Sequence, residues 1–227
     1  MSCIESFKNE LYGDGYDPAS FKFTKMAGPC IKTSFLKIPH VKEVAFAHVD
    51  DNELNLESFP LSESVELTMA YFFIALKRCR SLKEQYAFLD KNLVYAKSWM
   101  LTDAIPQVMK KANIADYLPF FMKWSNSKKE YTKRFAYVYL MKFISGGLTK
   151  EIALGGINFD ERYYVYMGQS WFLATYAIKD FSGVMSFLSK EENPDALVRK
   201  TLSKMMDSYR ISEKEKELIK TFRAKRE

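Results

Sequence analysis

Cysteine, histidine, glycine and proline are all scarce in this sequence. Its 227 residues include three cysteines, two histidines, nine glycines and seven prolines. Cys3, Cys30 and Cys79 are odd in number and form no CxxC step, so neither a disulfide frame nor a zinc site is expected. Reduced thiols of this kind fit a cytoplasmic protein. His40 and His48 stand eight apart with no metal-binding pattern around them, and no metal is expected. So few glycines disfavour an all-β fold, which needs a turn every ten residues or so. The longest uncharged stretch, Tyr163 to Ile178, is shorter than the roughly 20 residues of a membrane span and contains Gln169 and Ser170. The first residues carry Glu5 and Glu10 and no apolar signal core. These absences lead us to expect a soluble, monomeric protein without membrane contact.

What the sequence does have is apolar mass. It is 48% hydrophobic and 15% aromatic, enough for a sizeable core at this length, and its 27% of charged residues is not that of a disordered chain. The net charge of +6 is compatible with a polyanionic partner, because phosphates attract lysine and arginine and release counterions.

Nearly every periodic segment has helical spacing. Between Ser62 and Cys79, the apolar residues Val65, Met69, Phe72, Phe73 and Leu76 recur at three and four. Ser81 with Glu84 predicts a capped start for a helix through Ala96. Ser127 with Glu130 predicts one reaching Ile144, and Ser212 with Glu215 starts the last. Asp160 is placed to cap a segment through Lys179, and Pro194 fits the first turn of a helix to about Tyr209. Gly146-Gly147, Gly155-Gly156 and Asn193-Pro194 separate these units. No alternating β-branched run predicts a sheet. The expected fold is all-α: helices of 10 to 20 residues in one domain, irregular over residues 1–60, with a weak boundary near 60. A bundle or a solenoid of helical pairs satisfies this pattern, the solenoid having a period of about 40 residues.

Three segments could carry chemistry. In KSWMLTD, Trp99 and Asp103 are four apart and share one helix face. Arg134 sits in an otherwise aromatic and apolar helix. Trp171 lies on a second aromatic helix. Each has an ordinary structural explanation: a core indole, a solvated carboxylate, or an arginine whose stem covers apolar neighbours. Their spacing adds something. Trp99 to Arg134 is 35 residues and Arg134 to Trp171 is 37, so in stacked pairs of that period they fall on one face.

Here the sequence resembles a known family. KSWMLTD resembles the Trp-three-residues-Asp motif of AlkD-like DNA alkylation repair glycosylases. TKRFAYVYLMKFI is similar to their arginine-bearing helix, YYVYMGQSWFLATYAIKDF to their second tryptophan helix, and RKTLSKMMDSYRISEKEKELIKTFR to their C-terminal ending. FLKIPHVKEVA is a weaker match to the Gly-Val-Arg-x-Pro segment, with Phe35 at the glycine and Lys42 at the arginine after the proline. The resemblance runs from about residue 35 onward. It implies a right-handed superhelical solenoid of HEAT-like repeats, an alpha-alpha superhelix. It also implies hydrolysis of the N-glycosidic bond of cationic N3- or N7-alkylpurines in double-stranded DNA, during base excision repair. Asp103, Trp99 and Trp171 then become the catalytic residues, and Arg134 a DNA contact. The neighbouring Lys97, Lys129 and Lys133 are read as phosphate contacts.

The chemistry suits these residues without metal or organic cofactor. An alkylated purine is already cationic and leaves readily. A carboxylate can oppose the positive charge growing on the sugar and orient water, and indole faces attract cations. Lys128, Arg199, Lys200, Lys204, Arg210 and Lys214 recur later in the chain, mostly as ordinary solvated faces. The alternative from another class is a non-catalytic HEAT-like-repeat protein that binds distorted or branched DNA, since a fold does not certify its chemistry. A helical scaffold for protein partners is a third.

Overall fold

The computed structural model describes residues 3–14, 17–24 and 27–225, which build two compact units, Met1–Ala112 and Asn113–Glu227. Among the described residues the chain is mostly helical, and no helix is long and apolar enough to cross a membrane.

The first unit contains α1 (Cys3–Tyr12), β1 (Lys22–Thr24), β2 (Gly28–Thr33), α2 (Ile38–Ala47), α3 (Val65–Arg78), α4 (Leu82–Asn92) and α5 (Trp99–Ala104). Helix α3 is its axis. Every residue from Val65 to Leu76 is buried, which marks a helix enclosed on all sides rather than amphipathic. Ser64 caps its first turn by accepting from the Leu67 amide. Arg78 at the other end binds the irregular segment after α2. Its guanidinium donates to the carbonyls of His48, Val49, Asp51 and Leu54, of which His48 and Asp51 also accept from backbone amides of the turn. Gln85 of α4 makes a similar join: it donates to the Leu76 carbonyl and accepts from the Lys110 amide, each at 2.8 Å.

Both histidines hold α1. His40 Nε2 meets the Leu11 carbonyl at 2.9 Å, and His48 lies between Glu10 (2.7 Å) and Asp51 (3.1 Å), two carboxylates that sequence spacing alone does not pair with it. Burial opposes the charge on His48, but the bonds to Glu10 and Asp51 outweigh it and its pKa is raised.

The second unit contains α6 (Ile114–Ser125), α7 (Glu130–Leu140), α8 (Lys150–Gly155), α9 (Tyr163–Tyr176), α10 (Phe181–Leu188), α11 (Asp195–Met206) and α12 (Glu213–Ala224). Helix α9 packs against both α7 and α11, and α6 lies on α7. Between α6 and α7 the core is aromatic. Tyr117 stacks on Phe143 at 5.2 Å, meets Tyr139 edge-on at 4.6 Å, and donates its hydroxyl to the Ala136 carbonyl.

Several expectations need correction. A two-stranded antiparallel sheet is present, β1 with β2, where none was expected. It is too short to alternate visibly: only Ile31 and Thr33 of β2 point inward after Gly28. Helices α5 and α8 have six residues each, below the expected 10. Helix α4 ends at Asn92 rather than Ala96. Ser127 does not cap α7; it accepts from the Lys129 amide, and Glu130 instead reaches across to α9. Asp160 lies outside α9, which starts after Arg162 and ends at Tyr176. Pro194 stands at the cap of α11, not within it. The Ser212–Glu215 capping box forms as expected.

The guanidinium fork of Arg78 yields a test, because lysine keeps the charge but cannot reach four carbonyls. Arg78→Lys should lower stability by about 2 kcal/mol in denaturant unfolding at neutral pH.

Candidate active site

Helix α5 begins at Ser98, whose hydroxyl accepts from the Met100 amide at 3.1 Å. Trp99 is its first residue and Asp103 lies one turn further on. Both are half-buried, while Leu101 and Ala104 are fully covered. Leu101 falls on the opposite side of the helix from Trp99, which explains why so apolar a segment still leaves an indole and a carboxylate at the surface. The Thr102 hydroxyl is placed to donate to Asp103 Oδ1 (3.0 Å) or to the Trp99 carbonyl (3.1 Å). Lys97, just before the cap, is exposed.

In the second unit, α7 is buried from Tyr131 to Leu140, and Arg134 within it is only 6% exposed. Its Nη1 donates to the Tyr164 carbonyl at 2.9 Å. The side chain crosses α9 at Gly168, where an added Cβ would stand 3.1 Å from Arg134 Cγ. An isolated glycine inside a helical pattern often marks such close packing. Its role was missed in the sequence, although the signal was there. Tyr164, Gly168, Trp171 and Thr175 follow one another along one face of α9, at spacings of three and four, and Ile178 continues the series just beyond its end. Trp171 therefore comes one turn after the place where Arg134 lies. It is 38% exposed.

Further along that face, Met141, Ser145, Thr175, Ile178, Lys179 and Arg210 line a cavity of about 450 Å³. Lys179 is held there by the carbonyls of Ile144 and Leu148, both at 2.9 Å. No local motif linked Lys179 or Arg210 to this place, since the residues that line it come from separate segments.

Lys129 is exposed at the start of α7, as a phosphate contact would require. Lys133 is not. It is 5% exposed, and its ammonium pairs with Asp160 at 3.1 Å. The position next to Arg134 turns it toward the loop before α9, where Asp160 also binds Arg162. The Arg162 hydrogen bonds, with help from the Arg162 amide and Lys133, hold the Asp160 carboxyl far below the usual carboxylate range despite partial burial. Among the described residues no group of three or more histidine, cysteine or carboxylate side chains could hold a metal.

The Asp160 ion pairs have a predictable pH dependence. A carboxylate whose folded pKa is depressed stabilises fully above its unfolded value near 3.8, and that contribution is lost as acid protonates it. Asp160→Asn would leave the Lys133 ammonium buried without its partner and cost about 3 kcal/mol at pH 7. The gap between native and variant should narrow when unfolding is repeated at pH 3.

The sequence profile of the DNA alkylation repair enzyme family matches residues 36–206 of the chain. Comparison with curated proteins and with solved structures gives no match.

Proposed function

The chain belongs to the DNA alkylation repair enzyme family, and on that premise we propose that it excises cationic N3- or N7-alkylated purines from duplex DNA. The family assigns it a role in alkylation repair with DNA as the substrate. The observation that carries the finer reading is the Trp99–Asp103 step: an indole and a carboxylate one turn apart, both partly open to solvent.

In this reading the bond between the sugar C1′ and the alkylated nitrogen breaks, and its electron pair leaves with the base, which becomes neutral. The sugar gains positive charge as the base departs. Asp103 opposes that charge, orients a water for attack on C1′ and takes up its proton. The base is activated by its own alkyl group, so the reaction calls on no metal or organic cofactor. Trp99 offers a negative ring face to the cationic sugar or base. Trp171, exposed on α9, has the same capability, and the buried guanidinium of Arg134 supplies positive potential beneath that helix. Lys97 and Lys129 are exposed and can meet backbone phosphates. The packing of α6, α7, α9 and α11 in the second unit supports HEAT-like helical pairs as its building plan.

The test is release of free 7-methylguanine or 3-methyladenine from methylated duplex DNA. The native chain should release base. Asp103→Asn should slow release by about 100-fold or more, and Trp171→Ala by about tenfold. Binding of methylated DNA with no release at enzyme excess would sink the glycosylase reading. Unchanged release by Asp103→Asn would remove only that residue's role.

A further inference from the structure

From Pro18 to Lys42 the chain has no aspartate or glutamate and five lysines: Lys22, Lys25, Lys32, Lys37 and Lys42. This short stretch supplies five of the chain's six net positive charges. Much of it, including the whole hairpin of β1 and β2, lies before the residues matched by the family profile.

The hairpin and the turn after it show solvent two large aromatic rings. Phe23 is 59% exposed, with the Lys32 ammonium 5.8 Å from its ring centre, and Phe35 is 54% exposed. Phe35 is also the only described residue other than glycine with a positive φ, at 65°. In this left-handed region a Cβ crowds the backbone, so glycine or asparagine is the ordinary occupant.

The conformation is held from below. Glu66, buried in the first turn of α3, accepts from the Thr33 hydroxyl and from the Ser34 amide (3.2 Å to each oxygen). The Thr33 hydroxyl oxygen accepts in turn from the Phe35 amide at 3.0 Å. A buried carboxylate thus locks the turn, and the ring, more than half exposed, gains little burial to offset its strained backbone. Single exposed apolar side chains need no explanation. Two exposed rings on a stretch whose only charged residues are lysines, one ring in a disfavoured conformation, suggest that binding supplies the missing compensation.

We propose that the Pro18–Lys42 segment is a DNA-docking surface. Lys22, Lys32, Lys37 and Lys42 meet backbone phosphates, and Phe35 stacks on a base laid open at a distorted step. A nucleic acid is the polyanion that combines closely spaced phosphates with flat apolar faces. The proposal rests on duplex DNA being the substrate, but not on excision.

Binding is read by fluorescence anisotropy on a duplex with one central abasic-site analogue and on its intact counterpart, over a range of salt. Changing Lys22, Lys32 and Lys37 together to Gln should lower the slope of log K against log salt by up to about 2.7, at about 0.9 for each phosphate no longer neutralised. A fall of less than about 0.9 overturns the proposal. Phe35→Asn suits the left-handed backbone, so its Tm should match or exceed the native value. Its affinity for the distorted duplex should fall about tenfold, and Phe35→Tyr should restore it. Unchanged affinity in Phe35→Asn overturns the role of the ring. If the lysine variant loses binding to phosphatidylserine vesicles while its DNA slope stays native, the surface belongs to a membrane and the proposal falls. Base release, measured separately, decides the glycosylase reading and leaves these slopes standing.

Discussion

Helices α7 and α9 approach each other closely where Gly168 meets the side chain of Arg134, and the second unit is arranged around that approach. The missing Cβ lets a guanidinium lie between two helices and reach the Tyr164 carbonyl. Other links across the same pair follow from the short separation. Glu130 accepts from the Tyr164 amide, Tyr131 packs against Tyr164 at 5.3 Å, and Lys133 reaches Asp160 just before α9. With the α7 side of α9 occupied in this way, the indole of Trp171 is left partly in solvent. A larger residue at position 168 would press first on Arg134 and on its reach to the Tyr164 carbonyl.

Both units solve one problem by similar means. Irregular backbone close to a core has polar groups that regular structure does not pair, and leaving them unpaired is costly. In the first unit Arg78 binds four carbonyls after α2, while Glu66 satisfies the turn after β2. In the second, Asp160 gathers the Arg162 amide and guanidinium together with Lys133. Charged side chains therefore do much of the structural fastening, and positive charge in the sequence is a poor guide to which residues face a ligand. Lys133 and Lys129 are four residues apart in the chain, yet one is buried in an ion pair and the other exposed.

The helices were legible because their apolar periodicity and caps are strong local signals, as along Val65–Leu76 and at Ser81 and Ser212. The step from Trp99 to Asp103 was legible for the same reason: a spacing of four on a capped helix fixes a shared face. The hairpin was hidden because its strands are short and only two side chains of β2 turn inward. The fate of Lys133 and Arg134 depended on partners about 30 residues away, Asp160 and Tyr164, which no local pattern identifies. Phe35 stands out in the sequence where the resembled family carries glycine, but its left-handed backbone is a property of the fold.

The two histidines have a further consequence for stability. They are the side chains whose unperturbed titration lies nearest neutrality, and both are engaged in fastening α1. His48 has a raised pKa, so its grip on Glu10 and Asp51 is complete in mild acid and slackens as pH rises through that value. A stability profile that bends as pH rises through that value would thus carry a contribution from the seating of the first helix.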